Sequence, residues 1–149
     1  MTWTLRGRWT GRGPTATRGP PVYCVVDAGA LLELLLRTLR AESVQSVVDD
    51  RQMVAPAVID AEVLSALRGL ERGRAVTPAR AALAVADLRE APVERYPLDP
   101  LLERAWSLRS RLNAYDALYV ALAVELDCPL VTTDDRIPDP RLPANVLHA

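Results

Sequence analysis

Residues 114–136 read AYDALYVALAVELDCPLVTTDDR, and this stretch decides the fold. Ala114, Ala117, Leu118, Ala121, Leu122 and Val124 recur at the spacing of a helix buried along one face. Pro129 is expected to stop that helix, and Leu130, Val131 and Thr132 form a short apolar run typical of a parallel strand. Acidic residues mark both ends of the unit: Asp116 near the helix start, Asp134 and Asp135 just past the strand. A helix that feeds a parallel strand begins at the edge of the sheet where the strands end. Asp116 and Asp134 are therefore predicted to meet at that edge, where open α/β sheets carry their sites.

Outward from this unit the same alternation repeats. VYCVV at 22–26 is a β-rich run with Asp27 at its end, and a leucine-rich helix is predicted over 28–40. A short amphipathic helix over 42–50 and a second strand over 53–55 follow. Asp60 is the predicted N-cap of a helix over 61–71, which puts Glu62 in the first turn, where the helix dipole favours a carboxylate. Thr77 caps and Pro78 opens a helix reaching residue 90. A third strand is predicted over 93–96, a helix opened by Asp99 and Pro100 runs to 111, and 145–148 closes the sheet as an edge strand. Strands alternating with helices mean a mostly parallel α/β sandwich, with no repeats and no internal boundary.

The chain of 149 residues is long enough for one domain with a substantial core. That core must come from Leu, Val and Ala, because the aromatics are three Trp and four Tyr, with no Phe. No apolar run reaches the length of a membrane span. All 18 basic residues are arginine, which excludes every lysine-dependent site. Cys24 and Cys128 are too few for a disulfide framework and read as reduced thiols of a cytoplasmic protein. Residues 1–21 differ from the rest: arginine- and glycine-rich, free of acids, without apolar periodicity. They are expected to form a disordered, dispensable extension to a domain over 22–149.

By the same polarity reasoning Asp27, Glu62, Asp116 and Asp134 all fall on one edge of the sheet. Ionised carboxylates gathered this way raise one another's pKa unless a cation compensates them. Hard divalent cations take oxygen ligands, and Mg²⁺ keeps waters that leave room for a phosphate. Such a site can activate water and neutralise the charge of phosphodiester cleavage. Taken singly, Asp27 or Glu62 reads better as a helix cap. Asp116 is harder to dismiss, since it interrupts an apolar helix. Glu33 reads as an exposed helix residue, and Tyr115 and Tyr119, four apart, as a packed pair. Arg109 and Arg111 precede the acidic helix, where they are as apt to hold phosphates as to be solvated.

VVDAGALLELLL, APAVIDAEVLSAL, AYDALYVALAVEL and LVTTD together resemble the PIN domain, in particular the VapC toxins of toxin–antitoxin pairs. The resemblance runs from residue 22 to about 148 and implies a three-layer α/β/α sandwich on a sheet of about four to five strands. It implies an endoribonuclease dependent on Mg²⁺ or Mn²⁺ that hydrolyses structured RNA, transfer or ribosomal, with a metal-activated water. It also implies a VapB-type antitoxin and a homodimer. By motif position Asp27, Glu62, Asp116 and Asp134 match the family's acidic quartet, serving as catalytic residues and metal ligands; Asp135, beside Asp134, leaves that last assignment open. Thr132 matches the family's threonine and is expected to orient the last acid. This chain departs from the pattern at Gly29, where Ser or Asn is common, and at Asn113, where Ser or Thr is usual. Both changes bear on hydrogen bonds to the acids, not on the acids themselves.

Rival chemistries lack essential groups. Haloacid dehalogenase-like phosphatases, response-regulator receivers and P-loops need a lysine that this chain does not have. The remaining rival is a catalytically inert PIN-like module that binds RNA or protein. Interface formation is expected from the leucines of 28–40 and from the helix over 61–71, which carry more apolar residues than one buried face needs.

Overall fold

The computed structural model describes residues 22–134 and 143–149, together with the backbone of two short strands, β1 (Thr2–Trp3) and β2 (Trp9–Thr10), which pair antiparallel. The main sheet is built from β3 (Tyr23–Val26), β4 (Gln52–Pro56), β5 (Val93–Tyr96), β6 (Leu130–Thr132) and β7 (Val146–His148), in spatial order β5-β4-β3-β6-β7. Every neighbouring pair of these strands is parallel. The sheet is therefore wholly parallel among the described residues. The central strands bury consecutive residues, Cys24–Val26, Met53–Pro56 and Leu130–Thr132, as strands covered on both faces must. The edge strands β5 and β7 are only partly buried.

Among the described residues six helices cover the sheet: α1 (Ala28–Leu36), α2 (Ala41–Val48), α3 (Ile59–Arg72), α4 (Pro78–Glu90), α5 (Leu102–Ser107) and α6 (Ala114–Glu125), with a 3₁₀ turn at Asp99–Leu101. The chain steps from β3 to β4 to β5 in one direction and then crosses back to β6. Right-handed crossovers put α1–α4 on one face and α5 and α6 on the other. The packing agrees: α1 touches α2, α3 and α4, while α6 lies on β3, β4 and β6 beside α5. This is the expected three-layer sandwich. The strand order reverses between β3 and β6, so the switch point lies at the ends of those two strands.

Several boundaries differ from the sequence reading, each for a local reason. The first helix ends at Leu36, not residue 40, because Arg37 adopts a left-handed conformation with φ 54°. The amides of Arg37 and Thr38 then close on the carbonyls of Leu34 and Glu33, and the Thr38 hydroxyl bonds the Glu33 carboxylate. The α6 helix stops at Glu125, short of Pro129, since Asp127 is left-handed (φ 48°) and Cys128 N–H bonds Ala123 O at 3.0 Å. The expected helix over 99–111 is a 3₁₀ turn followed by a helix that ends at Ser107. Asp60 is not an N-cap: α3 begins at Ile59, and Asp60 pairs with Arg95 at 3.0 Å.

The leucines of α1 are spent inside the molecule. Leu31, Leu34 and Leu35 are buried, and Leu32 and Leu36 pack half-buried against the core. A helix flanked by three others needs apolar residues on most of its sides, so α1 itself does not present the expected interface; of the leucines in 28–40 only Leu39, beyond the helix end, is fully exposed. On α3, Ile59, Val63 and Leu67 are buried and Leu64 is exposed. Cys24 and Cys128 are free thiols; burial pushes Cys24 up to about 12.

Arg95 pins the edge strand β5. Its guanidinium donates to Asp60 and to the carbonyls of Leu88, Ala91 and Val93, at 2.7 to 3.2 Å. Arg95→Ala removes all of these charge-assisted bonds at once and is expected to lower unfolding free energy by about 2–3 kcal/mol in urea denaturation. Asp60, about half exposed at 46%, contributes through a surface pair, and Asp60→Ala should cost less than about 1 kcal/mol.

Candidate active site

The carboxyl edge of the sheet collects side chains from four separate elements. Asp27 follows β3 and caps α1: its backbone is extended (φ −83°, ψ 171°), and Oδ1 accepts from Ala30 N–H at 2.7 Å. Its own N–H donates to Val131 O at 3.1 Å, which fastens it to β6. A cap of this kind is worth about 1 kcal/mol, so one carboxylate both starts the helix and occupies the edge. Thr132, fully buried, joins two acids. Its Oγ1 accepts from Asp134 N–H at 2.9 Å, and its hydroxyl bonds the Asp27 carboxylate.

Asp116 sits in the first turn of α6, half-buried. Asn113 caps that helix in two directions: Oδ1 accepts from Asp116 N–H at 2.9 Å and Nδ2 donates to Asp116 Oδ2 at 2.7 Å. Asn at this position therefore still grips the acid. Glu62, in the first turn of α3, is half-buried, and its Oε2 accepts from the Tyr119 hydroxyl at 2.6 Å. At Gly29 a Cβ would lie 3.1 Å from Thr133 Oγ1 and 3.4 Å from Asp27 Oδ1. The space beside Asp27 that a larger residue would enter is thus bordered by the Thr133 hydroxyl.

The four acids feel one another. Burial pushes the Asp27 carboxyl above its ordinary value; the Ala30 amide and the Thr132 hydroxyl offset part of that, and the charges of Asp116 and Asp134 add to it. Burial likewise raises Glu62, the Tyr119 hydroxyl lowers it, and Asp116 and Asp27 raise it again. Tyr119 is itself held protonated by burial and by Glu62. Among the described residues no three His, Cys, Asp or Glu side chains already stand at ligating distance of one point. The quartet shares an edge without closing into a cage, as mutually repelling anions do. Its donors are all carboxylate oxygens, one buried and the others partly open to solvent, and that set fits a hard divalent cation that keeps some of its waters.

Other sequence expectations are placed as follows. Arg109 and Arg111 lie in the exposed turn between α5 and α6; Arg109 stacks 4.8 Å from the Trp106 ring centre and donates to Trp106 O at 2.9 Å. Asp135 and most of residues 1–21 lie outside the described residues. Tyr115 and Tyr119 do not share one environment: Tyr119 is buried and Tyr115 is exposed.

Two residues were missed. Tyr119 follows Asp116 by three, the spacing that stacks two side chains on one helical face, and that was the available signal. Arg40 stands at the end of the helix the sequence predicts over 28–40. Its Nη1 donates to Thr133 O at 3.2 Å, between Thr132 and Asp134, and no local pattern announces a contact across 93 positions.

Tyr119→Phe removes a single oxygen and with it the grip on Glu62. Supports of this kind typically change metal affinity by about 10–100-fold. A Mn²⁺ titration of the variant should show a weakening of that order with little loss of melting temperature, and unchanged affinity would mean that Glu62 needs no such anchor.

The PIN domain family model matches residues 24–141. Ribonuclease VapC3 of Mycobacterium tuberculosis is 46% identical over 119 residues, covering 79% of this chain and 87% of that protein. Among solved structures, PAE2754 from Pyrobaculum aerophilum superposes with a TM-score of 0.61 at 24% identity, over 84% of this chain and 83% of the other. VapBC2 from Rickettsia felis, bound to a DNA fragment from their promoter, gives 0.60 at 10% identity, over 85% and 98%. At those identities the structures speak for the fold alone, and the closer sequence match speaks for the branch. The chain belongs to the PIN domain family, alongside the VapC ribonucleases.

Proposed function

We propose that this chain is a metal-dependent endoribonuclease, the toxin of a type II toxin–antitoxin pair, which hydrolyses structured transfer or ribosomal RNA. What supports the reading above all is the convergence of Asp27, Glu62, Asp116 and Asp134 on the carboxyl edge beside the β3–β6 switch point. In this reading the four acids hold Mg²⁺ or Mn²⁺. Asp27 is oriented by Ala30 and Thr132, Asp116 by Asn113, and Glu62 by Tyr119. A bound ion supplies positive charge to the scissile phosphate and makes a water acidic enough to attack it. Arg109, Arg111 and Arg40 contact backbone phosphates of the RNA, fixing register without reading sequence.

The ribonuclease name of VapC3 and the paired VapBC2 structure support a VapB-type antitoxin as partner. A homodimer is supported by the open face of α5, where Leu102 and Trp106 are one turn apart and 53% and 69% exposed. No helix among the described residues is long and apolar enough to cross a membrane, which is compatible with a cytoplasmic toxin. The PIN domain match begins at residue 24, and removal of residues 1–21 should leave melting temperature and cleavage unchanged.

Sequencing of RNA ends after induction, wild type against Asp116→Asn, tests the reading: new ends should appear with the wild type alone. The rival is a catalytically inert module; among the described residues no three acids stand at ligating distance of one point. A Mn²⁺ titration separates the two, because the enzyme must bind the ion and an inert module need not.

A further inference from the structure

Tyr115 presents an exposed ring on a rigid support. It opens α6, whose residues Ala117 to Ala123 are all buried, so the helix cannot shift to hide the ring. The ring borders a groove of about 410 Å³ whose other walls are Val58, just before α3, and Ala61, Glu62, Ser65 and Ala66 from its first turns. Three of these are small and apolar. Glu62 belongs to the carboxylate edge, and Tyr115 is the chain neighbour of Asp116, so the groove is continuous with the candidate active site.

We propose that this groove is a subsite for one unstacked nucleobase of the RNA, which lies against the Tyr115 ring next to the scissile phosphate. The inference rests on the ribonuclease reading and adds a substrate contact to it. A flat, uncharged ring suits the groove on three counts. The volume is at the small end of the range of about 300–1,000 Å³ for small-molecule clefts, enough for a base and its ribose. The lining offers an aromatic face and methyl groups for stacking, with the Ser65 hydroxyl as a polar handle. No lining residue is basic, so the groove offers a phosphate no cationic partner and suits the base rather than the backbone. Sequence-specific recognition of RNA commonly proceeds through such splayed bases stacked on aromatic side chains.

The test uses an oligoribonucleotide spanning the cut site mapped with the wild type. Tyr115→Ala should raise KM for it about ten- to a hundredfold with little change in kcat, the scale of losing one base–aromatic stack. Tyr115→Phe should behave as wild type, because the ring and not the hydroxyl makes the contact. Placing 2-aminopurine at each position flanking the cut should reveal one site quenched by the wild type and by Tyr115→Phe, and bright with Tyr115→Ala. Unchanged KM in Tyr115→Ala, an equal defect in Tyr115→Phe, or no position quenched would overturn the subsite while leaving the nuclease standing. The same holds if Tyr115→Ala weakens capture of the antitoxin and spares RNA cleavage. If the wild type cuts no RNA with Mg²⁺ or Mn²⁺, the nuclease reading fails and the subsite falls with it.

Discussion

Replacing either Asp27 or Asp116 by Asn should abolish RNA cleavage and leave the fold standing. The loss is expected to be about three orders of magnitude or more, because an amide oxygen is a much poorer ligand than a carboxylate for the cation that would offset the transition state's negative charge. The fold should tolerate the change because Asn can keep the local hydrogen bonds. Asn is as good an N-cap as Asp, so the Ala30 amide retains its acceptor at position 27, and the Thr132 hydroxyl can still donate there. At position 116 the half-exposed amide remains within reach of Asn113. In EDTA the Asp27→Asn protein should be the more stable of the two at neutral pH. Burial and the neighbouring acids raise the folded carboxyl above its unfolded value, so ionisation favours the unfolded chain. That penalty is absent below the unfolded pKa and complete above the folded one. The advantage of Asp27→Asn should therefore shrink as pH falls from neutral towards the ordinary aspartate range. Paired thermal melts across that window read the difference directly. A variant less stable than wild type at neutral pH would mean that the ionised carboxylate is a net support of the apo fold.

Much of this molecule is legible in the sequence because its layers obey short-range rules. Leu130, Val131 and Thr132 are a buried strand because a strand covered on both faces can carry few polar groups, and the run was visible as such. The edge shared by Asp27, Glu62, Asp116 and Asp134 followed from chain polarity alone, since each lies at a strand's end or a helix's start. Helix ends were less legible. Arg37 and Asp127 hold left-handed conformations that glycine or asparagine would have advertised and that arginine and aspartate do not. Interfaces were the least legible. The leucines of α1 counted as surplus only until α2, α3 and α4 were seen to cover it. What surrounds an acid was also hidden. The Tyr119 bond to Glu62 spans 57 positions and the Arg40 contact with Thr133 spans 93, and both depend on how whole layers dock.

Cleavage should stop in EDTA, return with Mg²⁺ or Mn²⁺, and leave a 5′-phosphate and a 3′-hydroxyl. There is no lysine, and the single histidine, His148, stands exposed at the end of the edge strand β7. Attack by the ribose 2′-hydroxyl calls for a base and an acid working near neutral pH, a task usually given to histidine. The described edge offers carboxylates, and each must be ionised to serve as a base. Ionised together, they repel the phosphate they are meant to cleave. A divalent cation held by Asp27, Glu62, Asp116 and Asp134 would offset that repulsion and supply an activated water as the nucleophile, in which case the 2′-hydroxyl is not consumed and no cyclic phosphate forms. RNA affinity should consequently fall in EDTA along with the rate, which a filter-binding assay can follow separately from cleavage. End-labelling and ligation of the products identify their termini. Termini carrying a 2′,3′-cyclic phosphate, or full activity in EDTA, would sink the metal-water mechanism. Tight RNA binding in EDTA would place the phosphate away from the four carboxylates and return the choice to the inert module.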